Sequence, residues 1–416
     1  MASSTKTKGK GKNIALPIQK IPTSVPASFI TSLPIGYKPT TIFPKITGHV
    51  KDIESRYRVD NRKPGRDRAI NILRENVARE IEFVGTVKLH GTHMDIVINS
   101  NNTIRLQSRN RGALDEASDQ TDFAVAMFQQ EQRILSLKKA ILARWAQIYT
   151  GGCAPVEAQV VIAGEWVGPG IQKNVALASL PAKYFVIISI SVNRTWVDDQ
   201  LFADIEDPVA GILHIARGGF FRQTLDVAKK EDVCADEMMV PTMEVVARCP
   251  FAAIFNVEGK GEGIVWKAAH PLGKDPRFWF KTKGAEFAVT NTRALPNPVS
   301  ALQDSTPADQ KIATRLFAHA TVTSARLVQG YQALSLEHQL THSAATRNAF
   351  CQWIHDDIWA EEKLHMVECG VDEGYLKECV RWVAEEWFGK CLLEEERGLV
   401  KGEYGDGKRL GAGAWL

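Results

Sequence analysis

The sequence predicts an α+β protein in which a strand-rich unit precedes an all-helical one, and three observations predict it. Alternating, β-branched runs recur from Phe83 to Ala285: FVGTVKL, MDIVI, TIRLQSR, AQVVIAGEWVG, PAKYFVIISISV, GEGIVWKAA and RFWFKTKGA. They carry the period of strands with at least one buried face. The stretch LPNPVSALQDSTP at 295–307 is rich in Pro and Ser, the composition of a linker. Beyond Asp309 the strand signals stop and the apolar residues take helical spacing. Strands followed by helices is the order of an α+β fold. The boundaries read as a basic tail over 1–39, a strand-rich domain over 40–294, a linker over 295–308 and a helical domain over 309–416.

Composition narrows the class. A chain of 416 residues can bury large cores in two or three domains. With 44% hydrophobic and 24% charged residues it has an ordinary globular composition. No apolar run approaches the roughly 18–20 residues that cross a bilayer, which predicts no membrane association. The start of the chain has no signal-peptide core. The seven cysteines are scattered without a CxxC pair, which fits reduced thiols in an intracellular protein. Cytoplasm and nucleus are the expected compartments, with the mitochondrion open, although the first Arg is Arg56 and presequences are Arg-rich. Net charge is only +3, but it is uneven. From Asp309 onward 12 Lys and Arg face 17 Asp and Glu, leaving 39 against 31 in the front of the chain. The front is therefore the part suited to phosphates.

Taken in order, residues 1–50 hold no Asp or Glu, and Met1–Asn13 reads as a disordered basic tail. TTIFPKITGHV reads as strand-like, followed by a charged helix or loop with Arg56, Arg58, Arg62, Lys63, Arg66 and Arg68. The stretch from Phe83 to Ile98 reads as strand, sharp turn, strand, with Lys88 at the turn and Gly91 permitting a close approach of backbone. MDIVI and TIRLQSR flank the turn signal Asn99–Asn102, predicting an antiparallel pair that sets Arg109 at the far end of the second strand, close to the lysine turn or across the pocket from it. Asp122–Tyr149 has helical spacing without Gly or Pro. Glu165 ends a buried strand, where a carboxylate is costly unless paired or facing a pocket. Residues 200–255 resist division. Helices are expected over Asp309–Gln339, Ser343–Glu368 and Asp372–Arg397, with an irregular tail from Gly398.

Five clusters carry chemistry: KLHGT at 88–92, SRNR at 108–111, GEWVG at 164–168, EGIVWK at 262–267 and KTKG at 281–284. An amine nucleophile must lose its proton, and free lysine titrates near ~10.4. Neighbouring cations disfavour the ammonium. Lys281 and Lys283 stand two apart, so in a strand they share a face. Glu165 and Glu262 are the matching acids, fit for a ribose hydroxyl, a metal ion or a salt bridge with these lysines.

In this order the clusters resemble the motifs of covalent nucleotidyltransferases, the superfamily of ATP-dependent DNA and RNA ligases and mRNA capping enzymes. KLHGT, with His90 where DNA ligases and capping enzymes usually carry Asp, followed by helices in place of an OB-fold, is most similar to the RNA ligase 2 class. The resemblance implies an antiparallel-sheet nucleotidyltransferase (adenylation) domain followed by an all-helical C-terminal domain. It implies an ATP-dependent RNA ligase, with ATP and Mg2+ as cofactors and RNA bearing 5′-phosphate and 3′-hydroxyl ends as partner. Lys88 would attack the α-phosphate of ATP and hold AMP. Lys281 and Lys283 would contact the α-phosphate and orient pyrophosphate, while Arg109 and Glu165 would hold the ribose and the strand end. Glu262 would help bind magnesium through water. Either Tyr184 or Phe185, which point to opposite faces, would stack on adenine, Tyr184 being favoured, and Lys267 is a further phosphate candidate. His93 stands where the class has Asn. Alternatives are a DNA ligase, a capping-type guanylyltransferase, and a catalytically silent RNA-binding scaffold. If the helical domain grips RNA, Lys311, Arg315, Arg326 and Arg347 are the residues to do so. His338 and His342 in HQLTH lack the glutamate of a zinc protease helix and carry no metal expectation.

Overall fold

A computed structural model describes residues 25–33, 41–50, 52–53, 56–57, 80–149, 158–226, 231–291, 294–296, 306–335 and 340–396. The start of the basic tail, the 58–68 basic run, the linker centre and the C-terminal tail lie outside the described residues. The elements in order are β1 Glu80–Lys88, β2 Thr92–Ile98, β3 Ile104–Ser108, α1 Phe123–Phe128, α2 Glu131–Tyr149, β4 Val160–Val167, β5 Tyr184–Val192, β6 Thr195–Trp196, β7 Ile212–His214 and β8 Phe221–Asp226. They continue with α3 Glu231–Ala247, α4 Pro250–Ala253, β9 Gly263–Ala268, β10 Trp279–Lys283, α5 Pro307–Thr321, α6 Ser324–Ser335, α7 Ala344–Glu368 and α8 Glu373–Glu396.

Two sheets result. One has the order β10-β9-β1-β8 and the other β3-β2-β4-β5-β6, with β7 beside β5. Every pairing is antiparallel except β5 with β7. The fold class is as the sequence predicts: antiparallel sheets, then helices. β2 and β3 pair across the Asn99–Asn102 turn as expected, Met94 opposite Ser108.

β4 and β5 read as almost continuously apolar because both their faces are covered. Phe185 and Ile187 enter a core shared with Phe123, Ile134 and Ile141 of α1 and α2. Tyr184 and Val186 enter a second core with Phe83, Ile264, Trp266 and Phe280 of the other sheet. Each such buried side chain contributes about 1.5–3 kcal/mol. A third core joins α5 to α8 through Phe317, Leu327, Phe350, Ile354, Leu376 and Phe388.

Three expectations are corrected. TTIFPKITGHV forms no strand; only Thr47 makes an isolated bridge, to Phe280. The Asp122–Tyr149 helix is two helices that break at Gln129–Gln130. The 309–339 helix is also two: Thr321, Val322 and Thr323 form a β-branched run, which a helix disfavours. Thr323 Oγ1 there accepts the N–H of Arg326 and opens α6. Helix α5 begins with a capping box between Thr306 and Asp309.

Candidate active site

β1 and β2 belong to different sheets, so the stretch around Lys88 is a crossing between sheets, not a hairpin. Lys88, the last residue of β1, pairs with Gly263 of β9. The chain then passes through Leu89–Gly91 and enters β2, where Thr92 pairs with Trp166. This sets the lysine at the seam between the sheets. Gly91 is needed there: a Cβ would stand 2.4 Å from the Trp166 carbonyl oxygen and 2.8 Å from Glu165 Cγ. Its bare N–H instead donates to Glu165 Oε1 at 3.1 Å.

The seam opens into a cavity of about 320 Å³, of the size that holds a small ligand. Lys88, Arg109, Glu165, Glu262, Lys281 and Lys283 all line it, so five separated stretches meet in one space. Glu262, with its side chain 3% exposed, is the hub. Its Oε2 accepts Lys88 Nζ at 2.8 Å and faces His90 Nδ1 at 3.1 Å; its Oε1 faces Lys283 Nζ at 3.1 Å. Burial alone would raise its carboxyl, but Lys88, Lys283 and His90 outweigh burial and hold it well below the usual range. Burial likewise opposes the charge of Lys283, yet Glu262 and Glu361 hold its amine above the usual value. Lys281 behaves differently. Burial, with Lys283 and Lys88 nearby, pushes its amine down despite the Glu361 carboxylate at 2.5 Å.

The remaining expected residues are unequal. Burial keeps the Glu165 carboxyl raised, only partly offset by Lys88 and His93. His93 lines the floor, contacting Asp95 Oδ1 at 3.0 Å and Thr41 Oγ1 at 3.2 Å and stacking on Phe43. Lys267 reaches the cavity, but its ammonium is engaged by Asp199, by Ser189 Oγ at 3.0 Å and by the Trp279 ring at 4.2 Å. Tyr184 and Phe185 do face opposite cores, but neither lines the cavity. Tyr184 packs on Phe255, Phe185 on Phe123. The β5 residue at the cavity is Ile188. Ala163 pairs with Ser189 and Gly164 with Ile187, so Ile188 is the extra residue of a bulge, a device that re-aims a side chain.

One wall comes from the helical domain. Gln329 and Gln332 of α6 and Trp353, Asp357 and Glu361 of α7 line the cavity. Asp357 binds Lys45 at 2.9 Å and Arg326 at 2.9 Å. Burial opposes its charge, but Arg326 and Lys45 lower its carboxyl to about 2. Arg326 is fully buried, which removes it as an RNA contact; Lys311, Arg315 and Arg347 are exposed. Sequence reading missed the acids of α7. Their signal is the i, i+4 spacing of Asp357 and Glu361 on one helix face, common on any solvated helix.

Among the described residues no helix is long and apolar enough to cross a membrane. No curated protein matches the chain. Solved structures of a Naegleria gruberi RNA ligase are similar at low identity. The complex with pyrophosphate is 18% identical over 64% of this chain and 61% of that one, TM-score 0.36. A lysine-to-methionine variant with AMP and Mn is 15% identical over 59% and 57%, TM-score 0.35. An arginine-to-alanine variant with ATP and Mn is 17% identical over 59% and 57%, TM-score 0.35. The chain thus spans about three fifths of the length of those structures. The sequence model described as RNA ligase matches residues 81–283, a stretch that runs from β1 to β10 and carries Lys88, Arg109, Glu165, Glu262, Lys281 and Lys283. Over that stretch, just under half of its length, the chain is similar to the RNA ligase family.

Proposed function

We propose that the chain is an ATP-dependent RNA ligase that adenylates itself on Lys88, transfers AMP to an RNA 5′-phosphate and joins that end to a 3′-hydroxyl. The observation that carries the reading is the meeting of Lys88, Glu262, Lys281 and Lys283 in one cavity. In the first step the Lys88 amine gives its lone pair to the α-phosphorus. A P–N bond forms, the P–O bond to pyrophosphate breaks, and the amine sheds its proton. Lys88 Nζ rests on Glu262, so that pair must open as the nucleotide enters. Lys281 and Lys283 stand on one strand face where negative charge builds on the phosphates. Arg109 and Glu165 would hold the ribose and the RNA end, while His93 would support the floor through Asp95.

Glu165 and Glu262 are oxygen donors and fit a hard divalent cation such as magnesium. Glu262 would hold it through water, because its own oxygens already meet Lys88, His90 and Lys283. Such a cation supplies neutralisation of phosphate charge. Adenine has no aromatic platform from Tyr184 or Phe185; Ile188 offers an apolar contact in their place. The helical domain closes one side of the nucleotide site, and the exposed Lys311, Arg315 and Arg347 are its available contacts for RNA.

The test is incubation with labelled ATP or GTP and magnesium, beside Lys88→Ala, read on a denaturing gel. Covalent label from ATP in the wild type alone supports the reading, and sealing of nicked or single-stranded RNA then defines the substrate. Label from GTP points to a guanylyltransferase, sealing of DNA alone to a DNA ligase, and absence of any label to a silent scaffold.

A further inference from the structure

Away from the nucleotide cavity, three buried side chains converge where the N-terminal segment meets the helical domain. His49 Nε2 lies 2.8 Å from Glu362 Oε2, and His365 Nδ1 lies 3.2 Å from the same oxygen. The side chains of His49, Glu362 and His365 are 7%, 2% and 1% exposed. Their ligand atoms all fall within 4.8 Å of one another, and the two rings pack with centroids 3.9 Å apart.

We propose that His49, Glu362 and His365 form a binding site for a zinc-class divalent cation that staples the helical domain to the N-terminal segment. Four observations carry it. First, His365 is almost completely buried, its Nδ1 faces Glu362 and its Nε2 has no hydrogen-bond partner. A neutral imidazole always has one N–H and one lone pair to satisfy, and a cation takes the lone pair. Second, the spacing fits. Ligands about 2.0–2.1 Å from a tetrahedral ion stand roughly 3.3 Å apart, close to the separations seen. Third, the carboxylate is aimed. Thr290 Oγ1 donates to Glu362 Oε1 at 2.6 Å and Arg326 Nη2 approaches that same oxygen at 3.8 Å, leaving Oε2 to the imidazoles. Outer contacts of this kind are what orient metal ligands. Fourth, Glu362 and His365 are one helical turn apart on α7, with His49 supplied from 313 residues earlier, so a cation here ties distant segments.

The donor set selects the cation. Two imidazoles and one carboxylate suit zinc, cobalt or nickel and disfavour magnesium. The nearest fixed cation, Arg326, sits on the outer oxygen and is itself balanced by Asp357 at 2.9 Å. The staple has a consequence for the nucleotide site. Glu361, the residue before a ligand, faces Lys281, so the cation would hold the α7 wall in register with the catalytic lysines.

The test uses full-length protein prepared without a histidine tag or chelator. Elemental analysis after dialysis should give about one equivalent of zinc per chain, and X-ray absorption at the zinc edge should show two imidazole ligands. Cobalt added to chelated protein should give the visible bands of a tetrahedral site. His365→Gln and His49→Gln should lose the cation and the bands, while His342→Ala, outside the cluster, keeps both. Absence of stoichiometric zinc or cobalt binding in folded wild-type protein overturns the proposal. So does zinc without imidazole ligands, or zinc retained by a folded His365→Gln variant. Because each readout is metal content or spectrum, the result stands apart from whether ATP labels the protein.

Discussion

Two lysines on one strand meet acids from different parts of the molecule. Lys283 pairs with Glu262, the residue just before β9 of the same sheet, whereas Lys281 pairs with Glu361 of the helical domain. The sheet side of the cavity is complete in itself: Lys88, His90 and Lys283 share one carboxylate. The helical side is borrowed: Glu361 of α7 supplies the carboxylate that Lys281 meets. One half of the site is therefore built by its own domain, and the other depends on how α7 docks.

The largest effect should come from the self-contained half. Glu262→Gln leaves Lys88 and Lys283 facing a neutral amide. Breaking a buried pair in this way costs about 3–5 kcal/mol, so thermal or urea unfolding should show a clear loss of stability, with adenylation falling alongside. Unchanged stability would mean that the hub is not formed in solution.

The docked half should reveal itself in acid. The folded carboxyl of Asp357 lies at about 2, below its ordinary 3.8. A depressed acid stabilises above its unfolded value, and that stability is lost as pH falls from there through the folded value. The contribution is about 2 kcal/mol. Stability measured from pH 4 downward should fall less steeply in Asp357→Asn than in the wild type; parallel curves would break the comparison.

Glu361→Gln tests the borrowed contact itself. Freed of its carboxylate, Lys281 should bind nucleotide phosphate about threefold to tenfold more tightly, read as a lower KM for ATP. Weaker binding would show that Glu361 aids the nucleotide instead of competing with it. Smaller still is the contrast on β5. Ile188→Ala should weaken ATP binding several-fold, while Tyr184→Leu, allowing for lost stability, should leave it within about twofold. The reverse order would restore the tyrosine as the adenine platform.

What the sequence made legible follows the same division. The five clusters are local: each is a short run at the end of a strand, and the period-two pattern around Lys88, Glu165, Glu262 and Lys281 marks those strand ends. Residues from all five line one cavity. Three things were illegible for physical reasons. The crossing at Lys88 looks like a hairpin, because a turn between two strands does not say whether they pair with each other. The bulge at Ile188 shifts which β5 residue reaches the cavity, and nothing in YFVIISI marks an extra residue. The acids of α7 carry no motif, and only docking distinguishes them from an ordinary solvated face. Arg326 illustrates the same limit: read as a surface cation, it is buried against Asp357.

The most direct test of the account is to treat the protein with ATP and magnesium, digest it, and locate the AMP adduct by peptide mass spectrometry. The account predicts a single adduct on Lys88, removed by pyrophosphate with regeneration of ATP. An adduct on any other lysine, or none after pyrophosphate stripping and fresh ATP, would contradict it.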